Sequence, residues 1–291
     1  MRGRFSRGAV VLGLGLTLLC AFPASALAWA NGPQYGQGFG THDWVLYHAN
    51  QSAKLAGYDW VDWPTAQAAC DDPDMVLRDS YYHVYARTGI PYGDSPARVV
   101  ELYRQAVGEL QGGDRIAASR TLGMLSHYLS DTANPLHTDQ TVVEKGMHSR
   151  YEDAVDDFTS SPSAGAGLLS PHTATPTGDP KALTVTLADK AHPDYDALVS
   201  GYSIAGNSPA VQEITARSLN AAVAGIADAI AGIGVDAGAP RGEAGERGAG
   251  SSLTDAGAEP LPFAVWCLVG MSIGLLLVGV SAVVIAVRRR V

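Results

Sequence analysis

The chain has 291 residues, 46% of them hydrophobic and 17% charged, with a formal net charge of −9. That length holds one domain with a real core plus appendages. The acidic balance counts against a general nucleic-acid binder, whose target phosphates it repels, but not against a nuclease, because bound metal cations would reverse the local field.

Residues 1–28 read as a signal peptide. Arg2, Arg4 and Arg7 open it, apolar residues fill positions 9–22, and Ala26-Leu27-Ala28 supplies a cleavage pattern. Cleavage there would make Trp29 the first mature residue, and a free amine at that position can serve as a nitrogen metal ligand. Losing the three signal arginines takes the net charge from −9 to −12, and setting aside Arg288, Arg289 and Arg290 leaves −15. Cys20 lies in the signal and Cys267 in a C-terminal apolar run. Cys70 alone belongs to the exported domain, so no internal disulfide is expected. Leu19 stands before Cys20 where a lipoprotein signal needs a small residue, so lipidation is not expected.

The globular part is expected over residues 29–234, and its patterns are helical. Trp44, Leu46, Tyr47, Ala49 and Leu55 predict a first helix after a Gly-rich entry, with Thr41 as its N-cap. Ser95-Pro96 starts another, carrying Val99, Leu102, Tyr103 and Ala106, and Gly112-Gly113 stops it. Residues 114–130 form the next, with Leu122, Leu125 and Leu129 on one side. Further helices are expected over residues 147–158 and 209–233. Residues 160–180, rich in Ser, Pro, Thr and Gly, read as a loop. Residues 184–187 are a candidate short strand, but no alternation is sustained enough for a sheet, so the expected fold is all-α. Residues 235–262 read as a flexible linker. Residues 263–287 carry no charge and are long enough to cross a bilayer as a transmembrane helix. The arginines after them predict a short cytoplasmic tail, residues 288–291, with the globular domain outside.

Two short segments carry most of the chemistry. His127 and Asp131 are four apart, and His148 and Glu152 repeat that spacing. On helices each pair shares one face, one turn apart. His137 lies between the pairs, after Asn134-Pro135-Leu136. Imidazole and carboxylate ligands suit zinc. One such pair is an ordinary i,i+4 contact; two pairs and an intervening histidine make a metal site.

Residues 127–158 resemble the core signature of the zinc-dependent phospholipase C family, secreted bacterial enzymes with an N-terminal Trp and a three-zinc site. Upstream, Trp29 followed by Gly40-Thr41-His42 is similar to the family's N-terminal Trp and first-helix His. Asp72-Pro73-Asp74 ahead of Tyr81-Tyr82-His83 is similar to its Pro-Asp and His-aromatic segment. The resemblance implies three zinc ions. Asp74, His83, His127 and Asp131 would hold one; His137, His148 and Glu152 a second; the amine and carbonyl of Trp29, with His42 and a bridging Asp131, a third. Asp71, Asp72 and Asp79 compete with Asp74 for its place. His48 reads as a partly buried structural residue, and His172 and His192 as solvated.

The implied activity is cleavage of a phospholipid at the glycerol–phosphate bond, releasing diacylglycerol and a phosphorylated headgroup, with Asp74 also the candidate catalytic base. Clustered zinc suits phosphoester hydrolysis because it neutralises phosphate oxygens and lowers the pKa of water. Tyr81, Tyr82 and Tyr85 are candidates for lining a headgroup pocket. The expected partners are the phospholipid substrate and the membrane of the anchor, with no nucleic acid and a monomeric state. A related group of single-strand nucleases and 3′-nucleotidases shares the ligand scheme and supplies the alternative reading. A non-catalytic, zinc-stabilised surface domain is the third.

Overall fold

The computed structural model describes Trp29, residues 38–89 and residues 91–242. The expected signal peptide, transmembrane helix and cytoplasmic tail lie outside the described residues, as does most of the linker.

The described residues form an all-α domain without a β-strand. Its helices are α1 (Thr41–Leu55), α2 (Trp63–Ala69), α3 (Ser95–Gln111), α4 (Arg115–Ala133), α5 (Val142–Lys145), α6 (His148–Thr159), α7 (Pro180–Ala191), α8 (Tyr195–Ala205) and α9 (Pro209–Asp236). A π turn (Pro73–Leu77) and a 3-10 turn (Ser80–His83) lie between α2 and α3, and a second 3-10 turn (Pro135–His137) follows α4.

Most helix starts are written locally. Asp62, Asp94, Asp114 and Asp179 each accept from the backbone N–H three residues on, and Ser208 does the same for Val211. Each cap contributes about 1 kcal/mol. Proline follows in the first turn of α2, α3, α7 and α9, where its missing N–H costs nothing.

Helix α4 is the axis of the domain and packs on α1, α2, α3, α7 and α9. Its Leu122, Leu125, Tyr128 and Leu129 are fully buried. Each such leucine contributes about 1.5–3 kcal/mol of apolar burial. Helix α9 is long and apolar enough to cross a membrane by composition, but most of it is buried inside the domain, as expected of a core helix. It is pinned by Trp60, whose Nε1 donates to the Ile230 carbonyl, and by Tyr103, whose hydroxyl donates to Asp236. The described domain continues past residue 234: α9 ends at Asp236, and the N–H of Gly242 donates to the Gly57 carbonyl.

Three local expectations change. Gly40, not Thr41, caps α1; the Thr41 N–H donates to Asp156 and its hydroxyl pairs with Thr159 at 2.8 Å, docking the start of α1 on α6. Leu55 is exposed at the end of α1. Residues 184–187 lie inside α7, not in a strand. Thr184 and Thr186 return their hydroxyls to the carbonyls of Pro180 and Ala182, and Leu187, Ala188 and Ala191 are buried. Tertiary burial and the Asp179 cap outweigh the β-branched preference.

Gly123 is where α2 and α4 touch. A Cβ there would lie 2.2 Å from the Ala66 carbonyl oxygen, which is backbone and cannot turn aside. Gly123→Ala is expected to lower the unfolding free energy by about 1–3 kcal/mol in urea denaturation. Gly108→Ala on the exposed side of α3, where a Cβ meets nothing within 4 Å, is expected to gain up to about 1 kcal/mol. Equal effects from the two substitutions would contradict this packing.

Candidate metal centre

Six elements bring the site together. The π turn carries Asp74 and the 3-10 turn ends in His83. Helix α4 presents His127 and Asp131 one turn apart, and the first turn of α1 supplies His42. The 3-10 turn after α4 supplies His137, and α6 carries His148 and Glu152. Asn134 makes this second set possible. It leaves helical geometry, accepts from the Leu136 N–H and donates to Glu152, so the chain turns and His137 faces α6.

Three groups of ligating atoms converge: Asp74, His83 and His127; His42, His127 and Asp131; and His137, His148 and Glu152. In the first, His83 Nδ1 lies 3.7 Å from Asp74 and 2.8 Å from Asp131 Oδ2, and His127 Nε2 lies 3.6 Å from Asp74 and 3.5 Å from Asp131 Oδ2. The other Asp131 oxygen, Oδ1, faces His42 Nε2 at 3.6 Å. The carboxylate thus stands between two groups, as a bridging ligand must. The rings of His42 and His127 stack at 3.8 Å between centroids. In the third group, Glu152 Oε1 lies 3.2 Å from His137 Nε2 and 2.8 Å from His148 Nε2.

Every expected side-chain ligand therefore sits in one of these groups. Trp29, expected to contribute backbone atoms, has its indole fully buried in the domain core. Of the four competing aspartates, Asp74 alone joins a group. Asp72 pairs with Arg120 at 2.6 Å, and Asp79 stands on the far side of His83. Two other expectations need correcting. His172 and His192 are partly buried and bonded rather than solvated, to Asp228 at 2.9 Å and Thr138 at 3.3 Å. His48 is half-buried against Trp44 and bonds the Pro162 carbonyl, a structural place.

The donor set fits zinc. His127, His137 and Asp131 are fully buried, and both Asp131 Oδ1 and Glu152 Oε2 are buried without a hydrogen-bond partner. Buried carboxylate oxygens are costly unless something cationic meets them. The imidazoles are also turned for ligation. His127 and His137 donate their Nδ1–H to the carbonyls of Cys70 and His83, both at 2.8 Å, which leaves each Nε2 as a lone-pair donor facing carboxylates.

Protonation follows the same geometry. Burial opposes charge on His83, but its bonds to Asp131 and Asp79 hold its pKa up at about 10. Burial likewise opposes charge on His148, and Glu152 with Glu144 raise it to about 10. Burial alone dominates for His42, lowered to about 4, and lowers His127 as well. Asp131, despite burial, is held well below the carboxylate range by His127, His137 and His83. Burial raises Asp74 to about 7 against the pull of His83.

Sequence reading missed Glu144 and named Asp79 only as a competitor for the place of Asp74, although a usable signal existed. Each lies four residues before a ligand histidine, the same spacing that marks the ligand pairs, read in the other direction.

No protein-family model matches the chain, and no curated protein matches it. Among solved structures, the chain is similar to an alpha toxin from Clostridium absonum, with a TM-score of 0.51 and 16% identity over 72% of this chain and 67% of that one. A Clostridium perfringens alpha-toxin from an avian strain gives a TM-score of 0.49 and 12% identity, with the same coverage. At such identity the first likeness is one of fold, and the fold is all-α.

A pH dependence follows for the metal-free protein. His83 and His148 are raised above the usual value near 6.5, so their ion pairs stabilise the fold fully below about pH 6.5. That contribution is lost as pH rises toward about 10. His42 is lowered, so its contribution is present above about 6.5 and is lost as pH falls toward 4. Thermal unfolding of chelator-treated protein should show Tm falling between pH 7 and 10. Zinc should reverse this trend, because ligation requires neutral imidazole. A metal-free Tm that rises across that window would contradict the assigned pairs.

Proposed function

We propose that this chain is an exported zinc-dependent hydrolase of phosphodiesters, a phospholipase C that releases diacylglycerol and a phosphorylated headgroup. The observation that carries the reading is the convergence of three ligand groups, two of which face one fully buried carboxylate, Asp131. The chain's resemblance to the zinc-dependent phospholipase C family in residues 29–158 supports it. Zinc bound there would neutralise phosphate oxygens and lower the pKa of water.

The chain's own residues divide the remaining work. Asp131 and Glu152 set the negative charge that draws cations in. Asp74, which faces both His83 and His127 in the first group, would hold metal there and is the candidate base. The third group has three protein ligands, leaving a position for water and substrate, whereas a purely structural zinc is closed by four. This favours catalysis over a zinc-stabilised surface domain.

A specific feature favours lipid over nucleic acid. Met75, Val76 and Leu77 follow Asp74 directly, Tyr81 stands two residues before His83, and all four are exposed. Val142 and Val143, next to Glu144 of the third group's surroundings, are exposed too. Apolar side chains interleaved with ligands suit an acyl surface, and the acidic surface disfavours a polyanion. In this reading residues 263–287 cross the membrane and hold the domain at the outer surface, raising its concentration at lipid.

The test offers phosphatidylcholine, sphingomyelin, single-stranded DNA and RNA to the processed, zinc-loaded protein and identifies the products. Diacylglycerol is expected from phosphatidylcholine. Release of nucleotides with intact lipid would replace this reading with the nuclease one, and full zinc with no turnover would leave the structural one. Asp131→Asn should lower zinc stoichiometry and reduce turnover by at least about a hundredfold, because a shared charged ligand is lost. Near-normal turnover with full zinc would overturn the bridging role.

The terminus gives a separate expectation. If the Trp29 amine and carbonyl bind zinc, one extra residue ahead of Trp29 turns the amine into an amide, a poor donor. Metal analysis should then find one zinc fewer, with the His137, His148 and Glu152 site retained. An unchanged zinc count would exclude the terminal amine as a ligand. Trp29→Ala with a correctly processed terminus should be milder, since only indole packing is lost.

A further inference from the structure

We infer that Asp79 and Glu144 are positioning residues, one behind each of two metal groups, that turn His83 and His148 and strengthen them as ligands. The inference rests on the metal-centre reading above.

The four imidazoles of the first and third groups are backed in two different ways. His127 and His137 lean on neutral carbonyls, those of Cys70 and His83. His83 and His148 lean on carboxylates. Asp79 Oδ1 lies 3.4 Å from His83 Nε2, so His83 Nδ1 is the nitrogen that faces Asp74 and Asp131. Glu144 bonds His148 Nδ1, so His148 Nε2 faces Glu152 at 2.8 Å. An anionic acceptor raises the basicity of the opposite nitrogen and fixes the ring plane. Each group thus has one carbonyl-backed and one carboxylate-backed histidine.

Neither carboxylate is a loose surface charge. Tyr128, buried on α4, donates its hydroxyl to Asp79 Oδ1 at 2.7 Å, and Arg98 Nη2 stands 3.4 Å from Asp79 Oδ2. The Arg98 guanidinium lies over the rings of Tyr82 and Tyr128, which holds it in place. Glu144 is buried on the short α5, where Thr141 accepts its N–H and in turn accepts from the Tyr195 hydroxyl. Neither Asp79 nor Glu144 belongs to a converging ligand group. Both are oriented at the outward nitrogen of a histidine that does.

The test measures metal affinity, not turnover. Asp79→Asn and Glu144→Gln keep shape and hydrogen-bonding capacity but remove the charge. Competition against a chromogenic chelator should show one zinc per protein weakened about 10–100-fold in each variant, with the remaining zinc held as in the wild type. Cobalt substituted for zinc reports the same event in its visible absorption, and each variant should alter the band of one site only. Tyr128→Phe leaves the Asp79 charge and removes one of its supports, so its zinc affinity should fall between wild type and Asp79→Asn. This graded loss keeps the inference testable if either charge variant folds poorly. Wild-type affinity and cobalt spectra in both charge variants would overturn the inference while leaving the metal centre standing. A wild-type protein that takes up no zinc would overturn both.

Discussion

The fully buried carboxylate of Asp131 is the constraint on which the rest of the structure depends. It sits near the end of the central helix α4, with no exposure to solvent. An ionised carboxylate there is strongly unfavourable unless charge and hydrogen bonds meet it. Imidazoles from three elements do so: His127 from α4 itself, His83 from the turn before α3, and His42 from the start of α1. Each element must therefore arrive at one place. The Thr41 contacts with Asp156 and Thr159 that dock α1 on α6, and the Gly123 contact that seats α2 under α4, fix that arrival.

His83 ties the first and third groups together. Its side chain faces Asp131, while its carbonyl accepts from His137 Nδ1. The neighbouring backbone continues the link: the Tyr85 N–H donates to the His137 carbonyl, and the Arg87 N–H to that of Thr138. A displacement of residues 83–87 would therefore disturb ligands in both groups. Asn134 plays the matching part on the other side, capping the turn that delivers His137 and donating to Glu152. Two short irregular segments, rather than long helices, set the spacing between the groups.

The helices and most ligands were legible in the sequence because they obey local rules. Apolar spacing gave α3, α4 and α9, and the side chains of Asp94, Asp114 and Ser208 mark their starts just as locally. The i,i+4 pairs His127–Asp131 and His148–Glu152 could be read because one helical turn fixes their geometry before any tertiary contact forms. The competition among Asp71, Asp72, Asp74 and Asp79 could not be settled that way. The answer depends on a π turn, on Arg120 engaging Asp72 and on Tyr128 engaging Asp79, none of which has a periodic signature. Helices α2, α5 and α8 were missed because short helices owe their stability to packing more than to pattern. The candidate strand at residues 184–187 failed for the same reason: propensity was weighed without the burial of Leu187 and Ala188 against the rest of the domain.

His83 bonds carboxylates through both ring nitrogens, and so does His148. Those carboxylates hold the pKa of each ring up against burial. Protons and zinc compete for the same imidazole nitrogens. Asp79 stands at His83 Nε2, away from that competition, so it would hold the ring in one orientation whichever cation meets Nδ1.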